Sequence, residues 1–145
     1  MKRMFLILLV VILMSSCENI KKTNIDEPTD EEIINLWFNI FESMETNNEE
    51  LFIDNVIFSP LDDGRTEQEV IDIWIKEDYI GDFSTGVYKL EKVETEEGYH
   101  TSITLKPDET GSAVNMNGDV RWIDGSWKLV ADTIGFWYMP PEFID

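Results

Sequence analysis

The apolar positions of the chain change period near its middle, from helical spacing to alternation. The first part carries one broad apolar stripe at the spacing of a helix face, formed by Ile33, Trp37, Ile40, Phe41 and Met44. Thr29 and Glu32 precede it at the positions of a capping box, in which each side chain satisfies the other residue's free backbone amide. The pattern predicts an amphipathic helix that begins after Thr29 and ends near Asn47.

Two further segments complete the helical part. A short helical turn is expected at 49–53, followed by a β-favouring run at 55–58 that Pro60 terminates. Thr66 and Glu69 form a second capping-box sequence ahead of four apolar residues at helical spacing, Val70, Ile71, Trp74 and Ile75. The sequence therefore predicts a second amphipathic helix that continues to about residue 78.

From Gly86 onward, apolar and polar residues alternate with the period of a strand. Tyr99, Ile103 and Leu105 alternate with polar residues that include His100, which predicts a strand with one buried face. Strands are expected at 87–95, 99–105, 112–123 and 126–134.

Two dipeptides that contain glycine bear on how these strands connect. Asp124-Gly125 is typical of a tight hairpin turn between the last two strands. Asn117-Gly118 is an equally good turn signal and would split the segment 112–123 into a hairpin. Gly118 could instead be a bulge or kink in one long curved strand, and the alternation alone leaves both arrangements open.

The order of helices followed by an antiparallel meander predicts an α+β fold, with the helices gathered on one face of a sheet. The polar segment 17–28 has few large apolar groups and ends in proline, which is typical of a flexible tether. Residues 29–145 are long enough for one folded domain.

The N-terminus carries the pattern of an export signal. Lys2 and Arg3 precede an unbroken apolar run at 4–14, which is shorter than the roughly 20 residues of a membrane span. The residues Leu13-Met14-Ser15-Ser16-Cys17 resemble the lipobox of bacterial lipoproteins, although methionine stands where leucine is usual. The resemblance implies a signal peptide at 1–16, lipidation of Cys17, and a domain anchored to a membrane of the cell envelope outside the cytoplasm. Cys17 is the only cysteine, so the monomer can form no disulfide.

Charge narrows the range of partners. The chain has 11 basic and 30 acidic residues, and removal of 1–16 with its two basic residues would leave nine against 30, a net charge of −21. Nucleic acid is not expected as a partner, because its recognition depends on clustered lysine and arginine. A solvated acidic surface explains the composition, and a specific basic partner is the alternative hypothesis.

Three segments resemble the nuclear transport factor two-like superfamily, which includes SnoaL-like and ketosteroid-isomerase-like domains. They are 48–58 with Gly64 and the helix that ends in Ile73-Trp74, the segment 113–122, and the segment 124–130 with its Asp-Gly turn before tryptophan and lysine. The resemblance implies a cone-shaped fold in which a curved antiparallel sheet wraps around the N-terminal helices. It also implies that 112–123 is one bent strand.

Members of that superfamily that act on small molecules use the apolar hollow between sheet and helices, and catalytic members place an aspartate or a histidine inside it. His100 is the only histidine, but its alternation places it on the polar face of its strand. Asp119 and Asp132 are the weak catalytic candidates, since each lies in a predicted strand among apolar neighbours, and the outer sheet face is the alternative position for both. No cofactor or metal site is expected, because zinc would need carboxylates alone and the turn 62–64 lacks the ligand spacing of a calcium loop.

The aromatic tail 135–145 must cover something apolar, either the open end of the domain or a partner. We expect a membrane-anchored lipoprotein whose non-catalytic domain binds a small apolar ligand or a protein. The alternatives are an isomerase- or cyclase-like pocket enzyme that uses Asp119 or Asp132, and an acidic immunity-type protein that binds a basic partner. The residues do not indicate an oligomeric state.

Overall fold

The computed structural model describes residues 26–59, 64–76 and 86–144. The predicted signal peptide, Cys17 and the tether up to residue 25 lie outside the described residues, as does most of the predicted turn at 62–64. Among the described residues, no helix is long and apolar enough to cross a membrane.

Three α-helices form in the described part of the chain: α1 at Asp30–Glu45, α2 at Glu49–Asn55 and α3 at Glu67–Lys76. Both capping boxes are confirmed. The Glu32 backbone N–H donates to the Thr29 hydroxyl and the Thr29 N–H donates to the Glu32 carboxylate. Thr66 and Glu69 make the same reciprocal pair at the start of α3.

Within the described ranges, six strands form one sheet: β1 at Val56–Ile57, β2 at Val87–Glu94, β3 at Tyr99–Leu105, β4 at Ala113–Ile123, β5 at Ser126–Val130 and β6 at Gly135–Met139. Their order is β1-β5-β4-β3-β2, and β6 pairs with β4. The sheet is mixed, because β1 runs parallel to β5 while the other pairs are antiparallel. It is curved and does not close on itself.

Strand β4 runs without interruption through Gly118, so the prediction of one long strand is confirmed. The Asp124-Gly125 turn is confirmed as well. Both residues have positive φ, 50° and 86°, which is the conformation of the tight turn that matches the twist of a two-stranded hairpin.

The predicted strand 126–134 ends early, at Val130. Val120 pairs with Leu129 on β5, and Asn117 pairs with Gly135 on β6. Three residues along β4 therefore correspond to six residues along the partner segment from β5 to β6. A single 3-10 turn at Ala131–Thr133 takes up the excess. The Thr133 hydroxyl accepts from the Asp119 backbone N–H at 2.8 Å and so replaces the missing strand partner.

The tail also differs from its prediction as a simple cover, because it begins with strand β6. Strand β6 pairs with β4 on the same side as β5, along the part of β4 that β5 does not reach. It ends before Pro140, which has no backbone N–H to continue the ladder. Several of its aromatic side chains remain exposed, including Trp137 and Tyr138 at 56% each.

The α+β class is confirmed, with the helices on one face of the sheet. All five residues of the predicted helical stripe are buried in the core. They pack against residues that alternate along the inner sheet face, including Ile103, Met116, Val120 and Leu129. We call the opposite side the outer face; His100 lies there and is exposed, as its alternation predicts.

Candidate functional site

The hollow between the sheet and the helices is occupied by the chain's own side chains. Trp37 on α1 has no exposed surface, and its indole N–H donates to the Thr101 hydroxyl at 3.1 Å. That hydroxyl donates in turn to the Gly118 carbonyl oxygen at 2.9 Å. The buried indole N–H is therefore satisfied and the tryptophan is fixed against the middle of the sheet.

Gly118 allows this close packing of helix and sheet. A Cβ atom at position 118 would lie 3.0 Å from the Leu129 side chain and 3.3 Å from the Trp37 ring. Phe41 lies beside the tryptophan, with ring centroids 6.0 Å apart. The centre of the hollow is consequently packed core.

A groove of about 280 Å³ remains at the end of the hollow beside the β4–β5 hairpin, and we call it the mouth groove. Helices α1 and α2 form one side of it and the hairpin forms the other. The helices contribute Glu32, Asn35, Leu36, Asn39 and Asn55 to its lining, and the hairpin contributes Trp122, Gly125, Ser126 and Trp127.

The hairpin side of the mouth groove is aromatic. Trp122 and Trp127 face each other across the strands and meet edge to face, with centroids 5.4 Å apart at 70°. Trp127 makes a second such contact with Tyr99 at 5.7 Å. Trp122 is 37% exposed, and neither indole N–H has a hydrogen-bond acceptor within the described residues. These groups offer a flat apolar surface and two donors to a ligand.

Three carboxamides, together with Leu36 and the carboxylate of Glu32, line the helical side of the mouth groove. The Asn39 amide N–H donates to the Asn55 side-chain oxygen at 3.0 Å, and the Asn55 amide donates to the Leu51 carbonyl at 2.7 Å. These bonds fix the orientation of both amides and leave the Asn39 side-chain oxygen as an acceptor. A small ligand with a flat apolar part and a few polar atoms matches this combination.

A second groove, of about 330 Å³, lies on the outer face of the sheet, and we call it the outer groove. Its floor consists of Ser102, Thr104 and Asn115 on β3 and β4. Its walls come from β2 on one side and from β6 and the residues after it on the other.

The two candidate carboxylates lie outside the hollow. Asp119 is on the outer face, where its carboxylate lies 2.7 Å from the His100 Nδ1 atom, and its side chain is 35% exposed. Asp132 is exposed in the 3-10 turn and accepts a hydrogen bond from the Ser59 hydroxyl at 2.7 Å. The structure brings neither aspartate to the mouth groove, and the two belong to separate contacts.

Carboxylates and the histidine do not converge on a metal position in the described ranges, where no group of three potential ligands lies together. Cys17, the predicted lipidation site, lies outside the described residues. The candidate site is therefore the mouth groove, whose lining is mainly aromatic and amide side chains with Glu32 as its carboxylate.

None of the residues that line the mouth groove was predicted as a site residue from the sequence. One signal was present: Trp122 and Trp127 flank the Asp124-Gly125 turn symmetrically, which places them as a cross-strand pair. A second was Asn35 and Asn39, which are four residues apart and share a helix face. That these two features lie together follows only from the packing of α1 on the sheet.

The chain was compared with protein-family models, with curated proteins and with solved structures, and none of the three comparisons found a match.

Proposed function

We propose that the chain is a lipid-anchored bacterial envelope protein, whose nuclear transport factor two-like domain binds a small ligand at the mouth groove without catalysing a reaction. The anchor is diacylglycerol and fatty acid on Cys17, after cleavage behind Ser16. The domain then stands outside the cytoplasm on the tether 17–28. The lipobox-like sequence Leu13-Met14-Ser15-Ser16-Cys17 supports the anchor.

The observation that carries the absence of catalysis is the fully buried Trp37 in the centre of the hollow. A catalytic carboxylate of this fold would act from an apolar pocket, where burial raises its pKa into the range of proton transfer. Trp37 and its neighbours occupy that space, and Asp119 and Asp132 both lie elsewhere with polar partners. The geometry thus favours binding over isomerase or cyclase chemistry.

The element order supports the assignment of the domain to this superfamily. Two helices, a short strand, a third helix and then antiparallel strands follow in sequence, with one long strand at the centre of a curved sheet. These are the features that the resemblance implies for a cone-shaped domain. A fold supports many functions, so the ligand is inferred from the groove alone.

The mouth groove favours a ligand with one flat apolar ring and at least one hydrogen-bond acceptor. The ring would pack on Trp122, and the acceptor would receive an indole N–H or a carboxamide N–H. A purely aliphatic ligand would leave these donors unsatisfied, which is unfavourable in a desolvated site.

Replacement of Cys17 tests the anchor. Mass spectrometry of protein extracted from native membranes should show a processed N-terminus with a mass increase of diacylglyceryl and acyl groups. Cys17→Ser should leave an unlipidated precursor that keeps its signal peptide. Unchanged membrane lipidation of that variant would contradict the proposed anchor.

Co-purification tests the mouth groove. Gentle extraction of the full chain, followed by mass spectrometry of small molecules released on unfolding, should detect a ligand. Trp122→Ala and Asn39→Ala should each reduce its occupancy, whereas Tyr138→Ala, at an exposed aromatic residue that lines neither of the two grooves, is the control. Asp119→Asn and Asp132→Asn should leave occupancy unchanged. Conversion of the bound molecule to a product that depends on either aspartate would show that the domain is an enzyme.

A further inference from the structure

We infer that the outer groove is a second binding site and that it takes a neutral saccharide. The groove lies on the sheet face that points away from the helices, so its ligand is independent of the one proposed for the mouth groove. The floor, the walls and the charge of the groove each restrict the ligand, and a sugar ring without net charge satisfies all three.

The floor is a connected polar network. The Asn115 amide donates one N–H to the Ser102 hydroxyl at 3.0 Å and the other to the Thr104 hydroxyl at 2.8 Å. Asn115 and Thr104 are only 5% and 6% exposed, so the network is held rigidly by the sheet. The Ser102 hydroxyl donates back to the Asn115 side-chain oxygen at 3.4 Å, so of the two hydroxyls only that of Thr104 keeps its O–H for another acceptor.

The Thr104 hydroxyl has no such acceptor within the described residues. A donor that is nearly buried and has no acceptor is unfavourable, and a ligand oxygen above the floor would remove this penalty. An alkyl chain in the groove would leave the donor unsatisfied. A lipid chain is therefore a poor occupant, and a ligand with several hydroxyl groups is a good one.

The walls supply apolar surface. Trp137 on β6 is 56% exposed and Phe143, in the 3-10 turn at Pro141–Phe143, is 66% exposed. Met139 and Ile144 line the same wall. Three strand spacings separate β2 from β6, about 14 Å between backbones, which leaves room for one layer of rings between the side chains. The carbon face of a sugar ring packs on such aromatic surfaces while its hydroxyls reach the floor.

Charge and backbone pairing exclude two other ligand classes. Lys89 and Glu91 on the β2 wall pair with each other at 3.3 Å, so the wall has no net charge to attract an ion. The floor strands β3 and β4 are each paired on both sides, so an extended peptide has no free strand edge to join. Recognition must use side-chain hydroxyls, which fits a neutral saccharide.

The test is titration calorimetry on the full lipidated chain in a detergent without a sugar headgroup. The probes are the trimers of β1,4-glucose, α1,4-glucose and β1,4-N-acetylglucosamine, each to about 10 mM, which reaches affinities in the millimolar range. At least one trimer should bind. Trigalacturonate is the anionic comparison and should bind more weakly, because the protein is strongly acidic.

Two variants and one control locate the site. Trp137→Ala removes wall surface, and Thr104→Val removes the floor hydroxyl with little change of shape, so each should weaken binding by about fivefold or more. Trp122→Ala in the mouth groove should bind the saccharide as the wild type does. Circular dichroism and thermal unfolding of every variant show whether it is folded.

Three results would overturn the inference. They are no binding of any neutral trimer to the folded wild type, wild-type affinity in folded Trp137→Ala and Thr104→Val, and loss of saccharide binding in Trp122→Ala alone. The last result would move the saccharide to the mouth groove and would leave the proposed function standing. Failure of the proposed anchor would be detected separately, because the N-terminus would then lack the added mass of the lipid.

Discussion

At the scale of single residues, the contact between Trp37 and Thr101 connects the helix layer to the sheet. Thr101→Val keeps the shape of the side chain but leaves the buried indole N–H of Trp37 without its acceptor. We expect the free energy of unfolding to fall by about 1–3 kcal/mol. Chemical denaturation measures the change.

A double-mutant cycle separates this bond from general packing. Trp37→Phe alone should be strongly destabilising, because it removes both the bond and core volume. On the Thr101→Val background the same replacement should be less harmful, since the N–H without an acceptor disappears with the indole. Additive effects of the two changes would contradict the assigned bond.

Gly98 and Gly118 both leave little room for a side chain, but Gly98 faces backbone atoms and Gly118 faces side-chain atoms. A Cβ at Gly98 would clash with the Val120 carbonyl oxygen, which belongs to the sheet backbone. A Cβ at Gly118 would meet the Leu129 and Trp37 side chains, which can shift. We expect Gly98→Ala to lower the free energy of unfolding by about 2–4 kcal/mol and Gly118→Ala by about 1–3 kcal/mol.

Gly135→Ala is the matched control for these two replacements. Its added Cβ would lie 3.4 Å from the Asn117 side-chain oxygen, which is an ordinary contact distance. Its effect on denaturation should stay below about 1 kcal/mol. We expect the loss of unfolding free energy to be largest for Gly98→Ala, smaller for Gly118→Ala and smallest for Gly135→Ala. A Gly135→Ala variant as unstable as Gly98→Ala would refute the explanation by backbone clash.

At the scale of elements, the capping box fixes the start of α1. Thr29→Ala removes the acceptor of the Glu32 N–H and a donor to the Glu32 carboxylate. We expect it to reduce the free energy of unfolding at pH 7 by about 1 kcal/mol. Urea denaturation followed by far-ultraviolet circular dichroism measures the reduction.

The same box gives a pH dependence. The Thr29 backbone N–H, and then its hydroxyl, hold the pKa of Glu32 below its ordinary value of 4.5. A carboxyl group with a lowered folded-state pKa stabilises the protein above the unfolded-state pKa, and this contribution is lost as the pH falls through the folded-state value. The difference between wild type and Thr29→Ala should therefore shrink from pH 7 towards pH 3.

Glu32→Gln is the control for this titration. Glutamine also functions at the third helical position of a capping box, but it carries no titratable group. The stability difference between the Glu32→Gln variant and the double variant that combines Glu32→Gln with Thr29→Ala should vary little with pH. If this difference varied with pH as steeply as the difference between wild type and Thr29→Ala, a group other than Glu32 would be responsible for the titration.

Local elements could be predicted from sequence because their signals are local. The caps at Thr29 and Thr66 depend on residues three positions apart, and the Asp124-Gly125 turn depends on two neighbours. The end of β5 at Val130 could not be predicted, because the Thr133 hydroxyl replaces a strand partner only once β4 is in register. The placement of Asp132 in a turn follows from the same long-range pairing.

At the scale of the whole molecule, the α+β layout could be predicted but the candidate sites could not. The change of period from helical to alternating determines which layers exist. The mouth groove brings Asn39 on α1 next to Trp122 on β4, and the outer groove brings β2 next to the tail after β6. The spacing of residues in the sequence predicts neither of these two contacts, because both depend on how the curved sheet and the helices pack.

Lys92 attaches the start of the domain to the sheet, at the point where the proposed tether ends. Its ammonium group donates to the Pro28 carbonyl oxygen at 2.8 Å and lies 2.9 Å from Asp30 and 3.3 Å from Glu27. The Lys92 side chain is only 18% exposed. Any pull on the proposed membrane anchor would reach the fold through this junction.

Lys92→Met keeps much of the side-chain stem but removes the charge and three contacts. We expect the free energy of unfolding at pH 7 to fall by about 1–3 kcal/mol. A glutamate-specific protease should also cleave near residues 27–32 faster than in the wild type, because the junction is released. Lys89→Met on the same strand is the control, since Lys89 is 54% exposed, and its effect should stay within about 0.5 kcal/mol.

The pH dependence distinguishes a charged junction from simple packing of the lysine stem. The hydrogen bond with Asp30, and then that with Glu27, raise the pKa of Lys92 above its ordinary value of 10.5, against the opposing effect of desolvation. A lysine with a raised folded-state pKa contributes its full stability below the unfolded-state value, and that contribution is lost as the pH rises through the folded-state value. The difference between wild type and Lys92→Met should therefore be constant from pH 7 to 9 and shrink above about 10.5. A difference that persists unchanged at high pH would mean that the stem, and not the ammonium group, holds Pro28 and its neighbours to the sheet.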